Sequence, residues 1–263
     1  MRRSRRLTET TDPFVRHPEL RDRIADPAEA VFFRTLSVET LFADKPDLHW
    51  VVELLHTDEV RETSRRRTLA DHDGGDLWIF GYGSLMWNPA IHFAEVRRAA
   101  LPGHARRFIL KDIYGGRGTR EAPGLMAALD PGDGCEGLLF RIRAEDIEAE
   151  TEILWRRECI GPGYLPAFVT AEAESAPVRA LTFLADHSAD TIEAGLGFDE
   201  QVRLIARGTG FLGSSRDYLA GIVDHLRTLD IHDADCTALL DAVDREVAAT
   251  RPAAPQPPKG PAR

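Results

Sequence analysis

The sequence predicts an α+β fold, and three observations predict it. Short aromatic and β-branched runs, bounded by Gly, Pro and Asp, crowd residues 77–186. Apolar residues return at helical spacing over 187–250. The strands come first and the helices after, without the strict alternation that builds a doubly wound parallel sheet. The chain divides accordingly into an N-terminal extension (1–76, polar and largely helical), a main domain (77–250) and a Pro-rich tail (251–263).

The extension opens on the basic stretch Met1-Arg2-Arg3-Ser4-Arg5-Arg6. Leu7 to Leu20 carries Asp12, Arg16 and Glu19, so no apolar signal region follows, and a short solvated arm is expected. Helical patterning then runs around Pro27 to Ala43 and Pro46 to Arg61. Val31, Phe32, Leu36, Thr40 and Leu41 fall near helical spacing, as do Trp50, Val51, Leu54 and Leu55, and these residues need a surface to cover. Arg65-Arg66-Arg67 reads as a solvated helix face or linker. Asp71 to Asp76 is a turn-rich linker.

In the main domain, Leu77 to Phe80 reads as a buried strand. Further strands are expected at Phe108–Leu110, Leu125–Leu129, Gly137–Ile142, Ala167–Val169 and Val178–Leu184, with Asp130 to Gly134 as a hairpin or loop. One helix interrupts them, from about Glu145 to Glu158. Acidic residues in its first turn suit the positive end of the helix dipole, and Gly161-Pro162-Gly163 stops it. Ser214 or Ser215 can cap a helix that carries Leu219, Ile222, Leu226 and Leu229 on one face. A last helix carries Leu239, Leu240, Val243 and Val247. The tail Pro252 to Pro258 cannot be helical, and disorder is expected there.

Composition excludes several functions. The net charge is −10 and no basic stripe offsets it, so a nucleic-acid partner is not expected. No apolar run approaches a membrane span. Cys135, Cys159 and Cys236 are odd in number and far apart, which points to reduced thiols and a cytoplasmic protein. No spacing suits a zinc site, and no metal or cofactor is expected.

Two features carry chemistry. The first is the turn after the opening strand, Gly81-Tyr82-Gly83-Ser84-Leu85-Met86. Its glycines permit a tight turn and close approach of a ligand, and successive free N–H groups make a nest for carboxylate or carbonyl oxygens. A third glycine and a helix opening directly after it are missing, which excludes a dinucleotide fingerprint. The second is Glu158. Leu154 lies four residues before it and Ile147 eleven, so Glu158 continues an apolar stripe. Desolvation there, with the negative end of its helix, would raise its pKa toward that of a general base. The bland alternative is an exposed carboxylate paired with Arg156 or Arg157. Arg117, in the Gly-rich loop 115–120, is either a bidentate carboxylate ligand or a solvated loop residue. Tyr164 is either a site phenol or a core aromatic with a wet hydroxyl.

Phe80 to Leu85 resembles the signature of the ChaC-type γ-glutamylcyclotransferases. Four further segments follow in order: Arg117-Gly118-Thr119 with Pro123-Gly124, Cys135 to Ile142, Arg157-Glu158 with Gly163-Tyr164, and Gly210 to Gly213 with Tyr218-Leu219. The resemblance covers roughly Leu77 to Val247. It implies a small mixed β-barrel with flanking helices. It also implies cleavage of the small molecule glutathione to 5-oxoproline and Cys-Gly, with Glu158 as general acid/base and Tyr218 as a pocket wall, where its place at the start of an amphipathic helix by itself points to core packing. Where relatives often carry Asn ahead of that Tyr, this chain has Ser214-Ser215. The alternatives are another γ-glutamyl amino acid or amine as substrate, a binding or regulatory module without turnover, and a hydrolase working through Cys159. The last lacks a histidine nearby in sequence to activate the thiol.

Overall fold

Seven strands build the centre of the molecule: β1 (Leu77–Gly81), β2 (Glu95–Leu101), β3 (His104–Asp112), β4 (Gly124–Pro131), β5 (Cys135–Ile142), β6 (Tyr164–Ala173) and β7 (Pro177–Ala185). The computed structural model describes residues 12–250. The basic arm and the Pro-rich tail lie outside the described residues. Five strands follow one another in the order β1-β5-β2-β6-β7, and β7 returns to β1 through the parallel pair Ile79–Leu181, closing a barrel. The β3–β4 hairpin attaches to β7 through Leu129–Leu184. The fold is therefore α+β with a small mixed barrel.

The barrel is filled by side chains that alternate inward along each strand. Phe80, Phe140 and Phe183 are among the largest fully buried residues. Where β5 faces β1, Gly137 leaves no room for a side chain: a Cβ there would lie 2.3 Å from the Gly81 carbonyl oxygen. That close approach seats the end of β1 against its partner.

The expected strands are all present, but β2 is an addition. Its sequence, Glu-Val-Arg-Arg-Ala-Ala-Leu, is too charged to read as a strand. The charges face outward, where Glu95 pairs with Arg16, Arg97 and Arg141, while Val96, Ala99 and Leu101 are buried. Asp130 and Pro131 end β4, and 132–134 form a loop and not a hairpin turn, because β4 pairs with β3 and β7 while β5 pairs with β1 and β2.

Helix α5 (Ile147–Glu158) follows β5 and lays Ile153, Leu154 and Trp155 on the barrel. The Trp155 ring meets Phe183 edge to face at 5.6 Å. Three helices finish the domain: α6 (Phe198–Arg207), α7 (Ser215–Thr228) and α8 (Ala234–Thr250). The two serines before α7 divide the work. Ser214 caps the helix by accepting from Asp217 N at 2.9 Å, and Ser215 Oγ bonds both the N–H and the carbonyl of Leu125, fixing α7 to β4. Leu219, Ile222, Leu226 and Leu229 are buried as their spacing requires. On α8 Leu239, Leu240 and Val243 are buried, but Val247 is 37% exposed, one turn past the surface that α8 covers.

Before β1 the chain forms short helices in place of two long ones: α1 (Val31–Arg34), α2 (Val38–Phe42), α3 (His49–Val52) and α4 (Asp58–Leu69). Pro46 opens a 3-10 turn and excludes Lys45 from helical backbone, which divides the run. Ser37 and Thr57 cap α2 and α4. Val31, Phe32 and Leu54 are exposed in spite of their spacing, while Leu36, Phe42 and Val51 are buried. The basic cluster is corrected too. Arg65 is buried on α4 and bonds Glu62, Glu148 and Thr151 Oγ1, so it joins α4 to α5; Arg66 and Arg67 beside it are exposed. Arg34 adds a second tie, reaching both carboxylate oxygens of buried Glu150 at 2.8 and 3.2 Å.

Candidate active site

A cavity of about 350 Å³ opens where the end of β1, the end of α5 and the start of α7 converge. This is the size range of small-molecule sites. Tyr82, Gly83, Ser84, Leu85, Arg117, Glu158, Tyr164 and Tyr218 all line it. Gly81 and Met86 do not: Gly81 ends the strand, and Met86 is fully buried in the core.

Glu158 is the last residue of α5, and its side chain is 14% exposed. Burial raises its pKa from the ordinary carboxylate value, and the neighbouring guanidinium of Arg157 opposes that rise without cancelling it. Arg157 Nε lies 2.9 Å from Glu158 Oε1. The same guanidinium donates to Ser84 Oγ at 2.7 Å and to the Asn88 carbonyl, and the Phe33 ring lies 4.2 Å from it. One buried cation thus ties the carboxylate to the turn after the first strand. In the sequence Arg157 stands in the Arg157-Glu158 motif and is one of two arginines that could pair with Glu158, but nothing there gives it a role of its own. The structure makes the pair part of the cavity wall.

The turn itself presents donors. Met86 N–H closes onto the Gly83 carbonyl at 2.9 Å and Trp87 N–H onto that of Ser84. Among the described residues, no protein acceptor faces the N–H groups of Gly83, Ser84 and Leu85. The nest is therefore narrower than the Gly81–Met86 segment and centres on Ser84. With its oxygen accepting from Arg157, the Ser84 hydroxyl keeps its own hydrogen for a ligand.

Three phenols surround the carboxylate. Tyr82 donates to the Phe183 carbonyl at 3.0 Å and Tyr164 to that of Ala127 at 2.6 Å. Among the described residues Tyr218 donates to no carbonyl, and its oxygen lies over Gly83, 3.4 Å from where a Cβ would stand. Burial pushes Tyr218 up to about 12 and the other two well above their ordinary range, with the Glu158 charge adding to each rise. All three stay neutral, and Tyr218 is the one with a hydrogen to give.

Across the cavity, Arg117 leans over the Tyr218 ring at 5.1 Å and reaches the Ser214 carbonyl only weakly, at 3.4 Å. It forms no ion pair among the described residues. Its loop is shaped by Asp112, which sequence reading missed. That carboxylate accepts from the N–H groups of Tyr114 and Arg117 and is buried, which raises its pKa. A lone Asp at a strand end gives no sign of this in the sequence; the Gly-rich loop folding back onto it creates the role. Cys159, next to Glu158, is buried, and burial drives its thiol pKa strongly upward, the reverse of what a nucleophile needs.

Residues 77–246 match the model of a family described as ChaC-like protein. The glutathione-specific γ-glutamylcyclotransferase of Escherichia coli (strain K12) is 37% identical over 201 residues, which cover 76% of this chain and 87% of that protein. The glutathione-specific γ-glutamylcyclotransferase 1 of Mus musculus is 31% identical over 188 residues, covering 69% and 84%. Among solved structures, a glutathione-specific γ-glutamyl cyclotransferase from yeast superposes with a TM-score of 0.60 at 23% identity, covering 65% of this chain and 97% of that one. The likeness to the yeast protein shows a shared fold.

Proposed function

The chain belongs to the ChaC-like family, and from that premise we propose that it is a γ-glutamylcyclotransferase that cleaves glutathione to 5-oxoproline and Cys-Gly. The α-amine of the γ-glutamyl unit attacks its own γ-carbonyl carbon. A C–N bond forms, the five-membered lactam closes, and the bond to the cysteine nitrogen breaks. Nucleophile and electrophile belong to one molecule, so the protein has only to hold the attacking conformer.

The residues divide the remaining work. Glu158 takes the proton that the attacking amine loses and returns it to the departing cysteine nitrogen, so no net proton or water is consumed. The γ-carbonyl oxygen becomes an oxyanion as the tetrahedral centre forms. The N–H groups of Gly83 to Leu85 and the phenol of Tyr218 are the donors within reach of such a charge. Arg117 has the free guanidinium to bind a substrate carboxylate. Arg157 holds the base and the nest in fixed relation.

The observation that carries this reading is the placement of Glu158. It is a desolvated carboxylate inside the cavity, one guanidinium away from the unpaired N–H groups of the first turn. The test is mass-spectrometric product analysis of the purified protein with glutathione and with γ-glutamyl-alanine. Release of 5-oxoproline with Cys-Gly from glutathione supports the reading. Turnover of γ-glutamyl-alanine alone moves the substrate elsewhere in the class, and binding of glutathione without turnover makes the protein a ligand-binding module.

A further inference from the structure

The cavity is not closed by the main domain alone. Phe33, Leu41, Phe42 and Leu55 line it, and all four precede residue 77, where the match to the family model begins. They are held in place by tight contacts with the loops that carry the site. A Leu48 methyl lies 2.6 Å from where a Cβ on Gly115 would be, and a Leu55 methyl 3.1 Å from the same point on Gly161. Gly115 opens the loop of Arg117, and Gly161 follows the helix that ends in Glu158. His56 N–H closes onto the Ile160 carbonyl at 3.0 Å, and the Phe42 ring meets Phe211 edge to face at 5.9 Å.

We propose that residues 33–55 form the wall for the leaving group and set the preference for the residue that follows the γ-glutamyl unit. This rests on the function proposed above. The reacting amine and carbonyl both lie in the γ-glutamyl unit, so that unit must occupy the polar part of the cavity, among Ser84, Glu158 and Arg117. The leaving amine and its side chain take what remains. The extension's share of that remainder is apolar: Phe33 marks its border at Arg157, and Leu41, Phe42 and Leu55 face it, while Asn88, Lys111 and Asp112 of the main domain also line the cavity. Among the described residues of the extension no charged side chain lines the cavity, so a leaving residue is chosen there by burial of its side chain. A cysteine CH2–SH fills that surface, and a glycine at the same place forfeits the contact.

The experiment compares kcat/KM for glutathione with that for γ-glutamyl-glycyl-glycine, in wild type, Phe42→Ala and Leu55→Ala. Both substrates are measured in one preparation, so the ratio is independent of how much protein has folded. Wild type should prefer glutathione by about tenfold or more, and each variant should lose most of that preference. Should Phe42→Ala fail to fold, the half-buried Leu55 still supplies the reading. A wild-type ratio near one, or a ratio unchanged in the variants, overturns the inference while leaving the reaction intact. Absence of 5-oxoproline from both substrates with wild type overturns the reaction itself.

Discussion

Glu158 and Arg157 are neighbours in sequence and partners in space: Oε1 of one lies 2.9 Å from Nε of the other, inside the cavity wall. Such contact between adjacent residues needs the end of a helix, where the backbone no longer holds successive side chains on different faces. α5 ends there, with Cys159 as its C-cap and the Cys159 N–H closing onto the Trp155 carbonyl.

A pH profile follows from the opposing effects on Glu158. As a base it works ionised, so kcat/KM should fall as pH drops through its folded pKa. Burial puts that midpoint above the ordinary carboxylate range. Arg157→Met removes the opposing charge, so the acid limb should move to still higher pH and the plateau should fall. No alkaline limb from the phenols is expected below pH 10, since burial pushes Tyr218 up to about 12 and raises Tyr82 and Tyr164 well above the ordinary phenol range. Steady-state rates from pH 5 to 10 check both; an acid limb that moves downward in Arg157→Met would contradict the pairing.

Arg117 stands in the cavity wall with no acidic ion-pair partner among the described residues. Arg117→Ala should raise KM by about 10- to 100-fold, the loss of about 1.5–3 kcal/mol from a charge-assisted hydrogen bond. The effect on kcat should be smaller. A selective fall in kcat would place Arg117 at the reacting centre instead.

Stability should depend on the seam between the extension and α5. Glu150 is buried, accepts from the His92 N–H at 2.9 Å and receives both arms of Arg34. Arg34→Met leaves that carboxylate without its cation and should destabilise the protein by about 3 kcal/mol. Urea unfolding followed by far-UV circular dichroism measures it, and Arg34→Met with Glu150→Gln together should recover part of the loss.

Much of this was readable in the residues, for identifiable reasons. β1 and its turn stand out because an uninterrupted apolar run stops at two glycines. Glu158 stands out because it falls where an apolar side chain would continue the helix stripe. β2 does not stand out, because its outward side chains are charged and engage β5 and the N-terminal segment, contacts that a single strand does not reveal. Asp112 and the cavity-lining residues of the extension are invisible for a related reason. Their roles come from segments distant in sequence meeting at one place, as when Phe33 reaches Arg157. Arg65 misled because three consecutive arginines read as a solvated face, whereas one in three points into a helix pairing.

Cys159 should prove dispensable. Its thiol is buried and far from ionisation at neutral pH. Cys159→Ala should keep kcat/KM close to wild type at a stability loss of about 1 kcal/mol or somewhat more from the smaller side chain. Abolished turnover in a folded Cys159→Ala protein would revive a thiol mechanism.

The most direct measurement is single-turnover formation of 5-oxoproline from glutathione by Glu158→Gln beside wild type, with glutathione binding followed by calorimetry. Gln keeps the shape of the side chain and removes the proton acceptor. The rate should fall by about 10²- to 10⁴-fold while binding persists. A Glu158→Gln protein that forms 5-oxoproline at close to the wild-type rate would show that the proton moves by another route.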